Sequence, residues 1–143
     1  MQRILVMMAA VVSLSVVADE VVITDSVLKE VLGKKLSKPY GKFAPPMKLT
    51  KAEVEKVTDL KLFRTQITDA GLKEVAKLQN LKYLWLPDQI TDAGLKEVAK
   101  LQNLTELNLW DTDISDAGLK EVAKLQNLTE LDLNDTQITD VGL

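Results

Sequence analysis

Apolar positions along this chain follow three regimes. From Ile4 to Val17 they run together, broken only by Ser13 and Ser15; from 19 to about 56 they are irregular; from 57 onward they recur with a fixed period. In the last regime Leu81-x-x-Leu84-x-Leu86 returns as Leu104-x-x-Leu107-x-Leu109 and Leu128-x-x-Leu131-x-Leu133, with a weaker Val57-x-x-Leu60-x-Leu62 in front. Leucines two apart predict a short strand with one buried face. The period then switches: Leu72, Val75 and Ala76 share one face while Lys73, Glu74 and Lys77 point outward, which predicts a helix. Thr68 or Asp69, Thr91 or Asp92, and Ser115 or Asp116 are placed to cap those helices. The stretch Ile67 to Leu81 recurs unchanged at 90–104, recurs with Ser115 for Thr at 114–128, and starts again at Ile138, so the spacings are 23, 24 and 24 residues. Such a period means strand–turn–helix units stacked into an α/β solenoid with one continuous apolar core.

The segment before the repeats reads as a helical cap over 19–56. Thr24 to Gly33 predicts a short helix with Gly33 just past its end, and residues 34–48, with Pro39, Gly41, Pro45 and Pro46, predict a loop. Thr50 and Glu53 form a capping-box pair, and Leu49 and Val54 a hydrophobic staple, so a second helix starts near 51. Residues 1–18 combine Arg3, a fourteen-residue apolar stretch and a Val16-x-Ala18 exit, the pattern of a secretory signal peptide cleaved after Ala18. Fourteen helical residues span about 21 Å, short of the roughly 30 Å hydrocarbon core of a bilayer. The expected organisation is signal peptide 1–18, cap 19–56 and repeats 57–143. The expected location is secreted, periplasmic or at the cell surface, with no membrane insertion beyond the signal.

The Leu-x-x-Leu-x-Leu strands followed by Ile-Thr-Asp-x-Gly-Leu resemble the leucine-rich repeat family over about 60% of the chain. The Ile-Thr-Asp-x-Gly-Leu element is similar to the cysteine-containing subtype of F-box substrate receptors and of many bacterial secreted proteins. The order helix, loop, Leu-Thr-x-x-Glu helix, strand is similar to the amino-terminal cap of internalin-type bacterial repeat proteins. The resemblance implies short parallel strands on a concave face and helices on the convex face. It also leaves an alternative, an intracellular F-box-like adaptor of the ubiquitin-ligase type. Two departures stand out. Thr65, Thr112 and Thr136 replace the family's Asn or Cys after the strand, with hydroxyls able to bond turn backbone. The second repeat is one residue shorter across Leu86-Pro87-Asp88-Gln89-Ile90, so a local kink is expected there. At the far end Leu128, Leu131, Leu133 and Ile138 lack a covering coil, so the array is expected to continue or its edge to be closed by another chain, self-association included.

Composition narrows the chemistry. The 143 residues hold no Cys and no His, which excludes thiol nucleophiles, disulfides, Cys/His zinc sites and imidazole bases, and no cofactor or metal is expected. With 18 basic against 21 acidic residues the net charge is -3, against a nucleic-acid binder that relies on phosphate neutralisation. On a leucine-rich repeat the strand positions flanking the leucines face the concave side. Here these are Asp59, Lys61, Phe63 and Arg64; Tyr83, Trp85, Pro87 and Asp88; Glu106, Asn108, Trp110 and Asp111; and Glu130, Asp132, Asn134 and Asp135. They differ from copy to copy while the helix face hardly changes, and they include four of the six aromatics. The candidate binding set is Phe63, Arg64, Tyr83, Trp85, Asp88, Glu106, Asn108, Trp110, Asp111, Glu130 and Asp132. It points to a non-enzymatic protein-binding module, with a glycan as a second ligand class. Asp111, Asp113, Asp132 and Asp135 raise carboxylate hydrolysis or Ca²⁺ binding, but Asp132-x-Asn134-x-Thr136-Gln137 lacks the glycine and final Glu of a calcium loop, and a shallow face does not desolvate one acid against another.

Overall fold

The computed structural model describes residues 20–41 and 44–143; the signal-peptide segment lies outside them. The order is β1 (Glu20–Ile23), α1 (Ser26–Leu36), β2 (Met47–Thr50), α2 (Lys51–Lys56), β3 (Asp59–Lys61), α3 (Asp69–Val75), β4 (Tyr83–Trp85), α4 (Asp92–Val98), β5 (Glu106–Asn108), α5 (Asp116–Val122) and β6 (Glu130–Asp132). Strands β3, β4, β5 and β6 form one parallel sheet in sequence order, with Leu60, Leu84, Leu107 and Leu131 in register. Helices α3, α4 and α5 stack on its other side, so the chain is an α/β solenoid. No described helix is long and apolar enough to cross a membrane.

Each coil contributes the same buried set. Leu60, Leu84 and Leu107, then Leu62, Leu86 and Leu109, then Ile67, Ile90 and Ile114 form columns through the core, joined by Leu72 and Leu95 from the helices. A coil alone cannot cover these side chains, and the neighbour does it. In the last coil Leu131 is 37% exposed and Leu128, Leu133 and Ile138 are only half-buried.

Polar ladders run beside the apolar columns. The Asp69 carboxylate accepts from the Thr91 amide at 3.1 Å and its hydroxyl at 2.7 Å. Asp92 does the same for Ser115 at 2.8 and 2.6 Å, and Asp116 for Thr139 at 2.8 and 2.6 Å. These aspartates therefore bind the next coil instead of capping their own helix. The caps are Thr91 and Ser115, whose hydroxyls accept from Ala93 and Ala117 at 3.3 Å, while Thr68 makes no such bond. The glycine of the motif belongs to the same device. A Cβ on Gly94 would lie 2.4 Å from Asp69 Oδ1, and one on Gly118 would lie 2.2 Å from Asp92 Oδ1. Only glycine leaves room for the preceding coil's aspartate.

The turn after each strand uses the threonines as expected. Thr65, Thr112 and Thr136 donate to the carbonyls of Leu62, Leu109 and Leu133 at 2.6, 2.6 and 2.7 Å. The preceding residues Arg64, Asp111 and Asp135 take φ of 58°, 57° and 56°. The shortened second coil has no such step: Ile90 N closes on Pro87 O at 3.2 Å, and Gln89 Nε2 donates to the carbonyls of Thr65 and Ile67. The expected kink does not reach the sheet, whose three-residue register is kept on both sides.

The cap departs from expectation in two ways. Helix α1 passes through Gly33 to Leu36, and Ser37 is the left-handed residue at its end, with φ 54°. Gly33 is there for packing, since a Cβ on it would lie 2.5–2.7 Å from three atoms of Tyr40. The segment read as loop to residue 48 ends in β2, which pairs antiparallel with β1, Val21 opposite Leu49. The capping box forms as read: Glu53 N donates to Thr50 Oγ1 at 3.3 Å and Thr50 N to Glu53 Oε2 at 2.9 Å.

The cap also contains a further copy of the repeat's helix motif. Ile23-Thr24-Asp25-x-x-Leu28-Lys29-Glu30-Val31 matches Ile67-Thr68-Asp69-x-x-Leu72-Lys73-Glu74-Val75. Ile23 and Leu28 are wholly buried, as are their counterparts Ile67 and Leu72. Asp25 Oδ2 lies 3.0 Å from where a Cβ on Gly71 would be, the place Asp69 holds before Gly94. Glu74 completes the joint by accepting from the Thr24 and Asp25 amides, both at 2.8 Å through Oε2. Val27 occupies the glycine position of this copy.

Candidate functional site on the concave sheet

The parallel register lines the outward strand residues into rows. One row is Asp59, Tyr83, Glu106 and Glu130; the next is Lys61, Trp85, Asn108 and Asp132. Neighbours in a row stand one strand apart, about 4.8 Å. Beyond the strand ends, Phe63, Pro87, Trp110 and Asn134 continue the pattern, with Arg64, Asp88 and Asp111 beside them. Between these groups lies a groove of about 650 Å³ lined by Phe63, Arg64, Trp85, Leu86, Pro87, Asp88, Asn108, Trp110, Asp111, Asp132 and Asn134.

Eight of the eleven candidate residues therefore share one groove. Tyr83, Glu106 and Glu130 do not line it: they belong to the row at the start of the strands, where Glu106 and Glu130 border a recess of about 310 Å³ with Leu131. Leu86, Pro87 and Asn134 line the groove outside the candidate set. Pro87 and Asn134 were legible from position alone, since they align with Phe63 and Trp110. Leu86 was not, because its side chain belongs to the core.

The aromatic rings are fixed by polar neighbours. Trp85 Nε1 donates to Glu106 at 3.1 Å, and Lys61 Nζ sits 4.3 Å from a Trp85 ring centroid. Arg64 lies 4.8 Å over the Phe63 ring. Trp110 Nε1 donates to Asp135 Oδ2 at 2.9 Å and its amide to Asn108 Oδ1 at 3.1 Å. Asp132 accepts from Asn108 Nδ2 at 2.9 Å and from the Asn134 amide at 3.0 Å. The result is an open trough with oriented aromatic faces and a carboxylate-rich downstream half. Rigid aromatics beside polar groups are the makings of a recognition surface. Among the described residues no cluster of ligating side chains is placed to hold a metal ion.

Comparison with known proteins agrees with this architecture. Residues 102–143 match a protein-family model described as Leucine Rich repeats (2 copies), and residues 55–76 one described as Leucine Rich repeat. Among solved structures, an internalin (inlF) from Listeria monocytogenes aligns with a TM-score of 0.61 and 29% identity, over 82% of this chain and 32% of that one. This chain thus spans about a third of the internalin's length. No curated protein matches it significantly. Family repeats at both ends of the array, the parallel sheet with its stacked helices and the likeness to an internalin give the chain the leucine-rich repeat fold, with an internalin-like architecture.

Proposed function

We propose that the chain is an exported, non-enzymatic module that binds a protein partner through its concave groove. One observation carries this reading. The helices and polar ladders are nearly the same in every coil, while the residues that differ lie on one face and make a groove with two tryptophans and a phenylalanine. A scaffold held constant with one varied face is how a solenoid acquires a specific partner. Export rests on the signal-like pattern of residues 1–18 and on the similarity to an internalin. The non-enzymatic reading rests on the openness of the trough: Asp88 and Asp111 are exposed and Asp132 is half-exposed, so burial does not set one carboxyl of the groove against another.

Two variants of the exported protein test the assignment. Trp85→Ala with Trp110→Ala removes the aromatic anchors, whereas Lys96→Ala with Lys120→Ala alters the convex helices. Each is immobilised and compared with wild type for capture of partner protein from the extracellular milieu. Loss in the concave variant with retention in the convex one is expected. The opposite pattern would place recognition on the helices. A mature amino terminus at Asp19 in an extracytoplasmic fraction is the expected mark of export, and an intact Met1 in the cytoplasm would favour the F-box-like adaptor.

A further inference from the structure

We infer that the partner segment bound in the groove is basic, and that one of its arginine or lysine side chains seats on Trp110. The inference rests on the proposed concave-face reading and adds the chemistry of the occupant.

The chain's own packing sets the precedent. Lys61 lies over Trp85 and Arg64 over Phe63, so two of the three large rings of the groove already carry a cation. Trp110 is the third. It is 44% exposed, its indole is held by Asp135, and no cation of the described residues lies over it. An oriented, solvent-facing indole attracts a cation to its ring face.

Charge points the same way. Lys61 and Arg64 stand at the upstream end of the concave face, and both are already turned onto rings. Downstream stand Asp111, Asp132 and Asp135, and among the described residues none of these forms an ion pair; Asp132 is bonded to neutral amides and Asp135 to an indole. The acidity belongs to this face and not to the chain as a whole, whose net charge is only -3. Carboxylates flanking an indole match a guanidinium or ammonium in both sign and geometry. The size of the trough favours a polypeptide over a small amine. Four strands about 4.8 Å apart cross about 14 Å, the reach of about four extended residues.

The test is a titration of the full chain with hexa-arginine and with hexa-glutamate, read by calorimetry and by tryptophan emission. The chain has two tryptophans and both line this groove, so emission reports on it directly. Saturable binding of hexa-arginine is expected, weakened by salt, with no binding of hexa-glutamate. Trp110→Ala should weaken binding about tenfold, while Trp110→Phe, which keeps an aromatic face, should retain most of it. Equal affinity in wild type and Trp110→Ala, no binding of hexa-arginine, or tighter binding of hexa-glutamate would each overturn the inference. Those results would leave the concave-face reading intact if partner capture is still lost in the Trp85→Ala/Trp110→Ala protein. Loss of capture in the convex variant alone would remove that reading itself.

Discussion

Gly94→Ala tests why a helix former as poor as glycine recurs inside every repeat helix. On propensity alone the substitution gains about 1 kcal/mol. Against that, the new methyl would stand 2.4 Å from Asp69 Oδ1 and 2.9 Å from Leu72 Cδ1. Leu72 can turn its terminal methyl aside, but the Asp69 carboxylate is held on the Thr91 amide and hydroxyl and must release one or both. Hydrogen bonds to a charged group contribute about 1.5–3 kcal/mol each, with the lower end appropriate to this half-buried site. Losing both costs about 3 kcal/mol, so the net effect is a destabilisation of about 2 kcal/mol, or about 6–12 °C in melting temperature for a domain of this size. In an Asp69→Ala background the obstacle is gone, and the same glycine-to-alanine change should be neutral or stabilising by up to about 1 kcal/mol. Urea unfolding followed by far-ultraviolet circular dichroism on the four proteins of this cycle measures the reversal of sign. An equal loss from Gly94→Ala in both backgrounds would refute the ladder as the reason for the glycine.

Other consequences follow from the same contacts. Burial pushes the Glu74 carboxyl up, but the Thr24 hydroxyl, the Asp25 and Thr24 amides and Lys77 outweigh it and hold its pKa below the ordinary value. Its folded pKa being depressed, its stabilisation is complete above the unfolded value and is lost as pH falls through the folded one; urea midpoints of wild type and Glu74→Gln should differ at about pH 7 and converge by about pH 2. Gly33→Ala should loosen the cap by about 1–2 kcal/mol despite better helix propensity, because Tyr40 must move; faster proteolysis between α1 and β2 measures it. Leu84→Ala, wholly buried in the middle of the array, should cost about 3 kcal/mol in chemical unfolding, whereas Leu131→Ala, already 37% exposed, should cost less than half of that.

Features legible in the sequence were those whose partners lie close along the chain. The Thr50–Glu53 capping box spans three residues, and the strand-to-helix switch in each repeat is a change of local period, so both were readable directly. The Asp69-to-Thr91 bond joins residues 22 apart and exists only once coils stack, so the same aspartate looked like a helix cap. Gly33 was misread for the same reason: its constraint is the Tyr40 ring on another segment, while the local pattern resembled a helix end. The pairing of β1 with β2 was hidden because it depends on a contact across α1. One missed signal was present in plain letters, the Ile-Thr-Asp-x-x-Leu-Lys-Glu-Val of residues 23–31, masked by its distance from the regular array and by Val27 at the glycine position. On the concave face, the strand pattern located the rows, but which of their side chains line one groove depends on the stacked coils.

Acrylamide quenching of tryptophan emission, with and without the captured partner, tests the central claim most directly. Both tryptophans line the groove, one half-buried and one 44% exposed. If the concave face recognises the partner, complex formation must shield them and quenching must fall several-fold. A tight complex in which both remain as accessible as in the free protein would contradict the account.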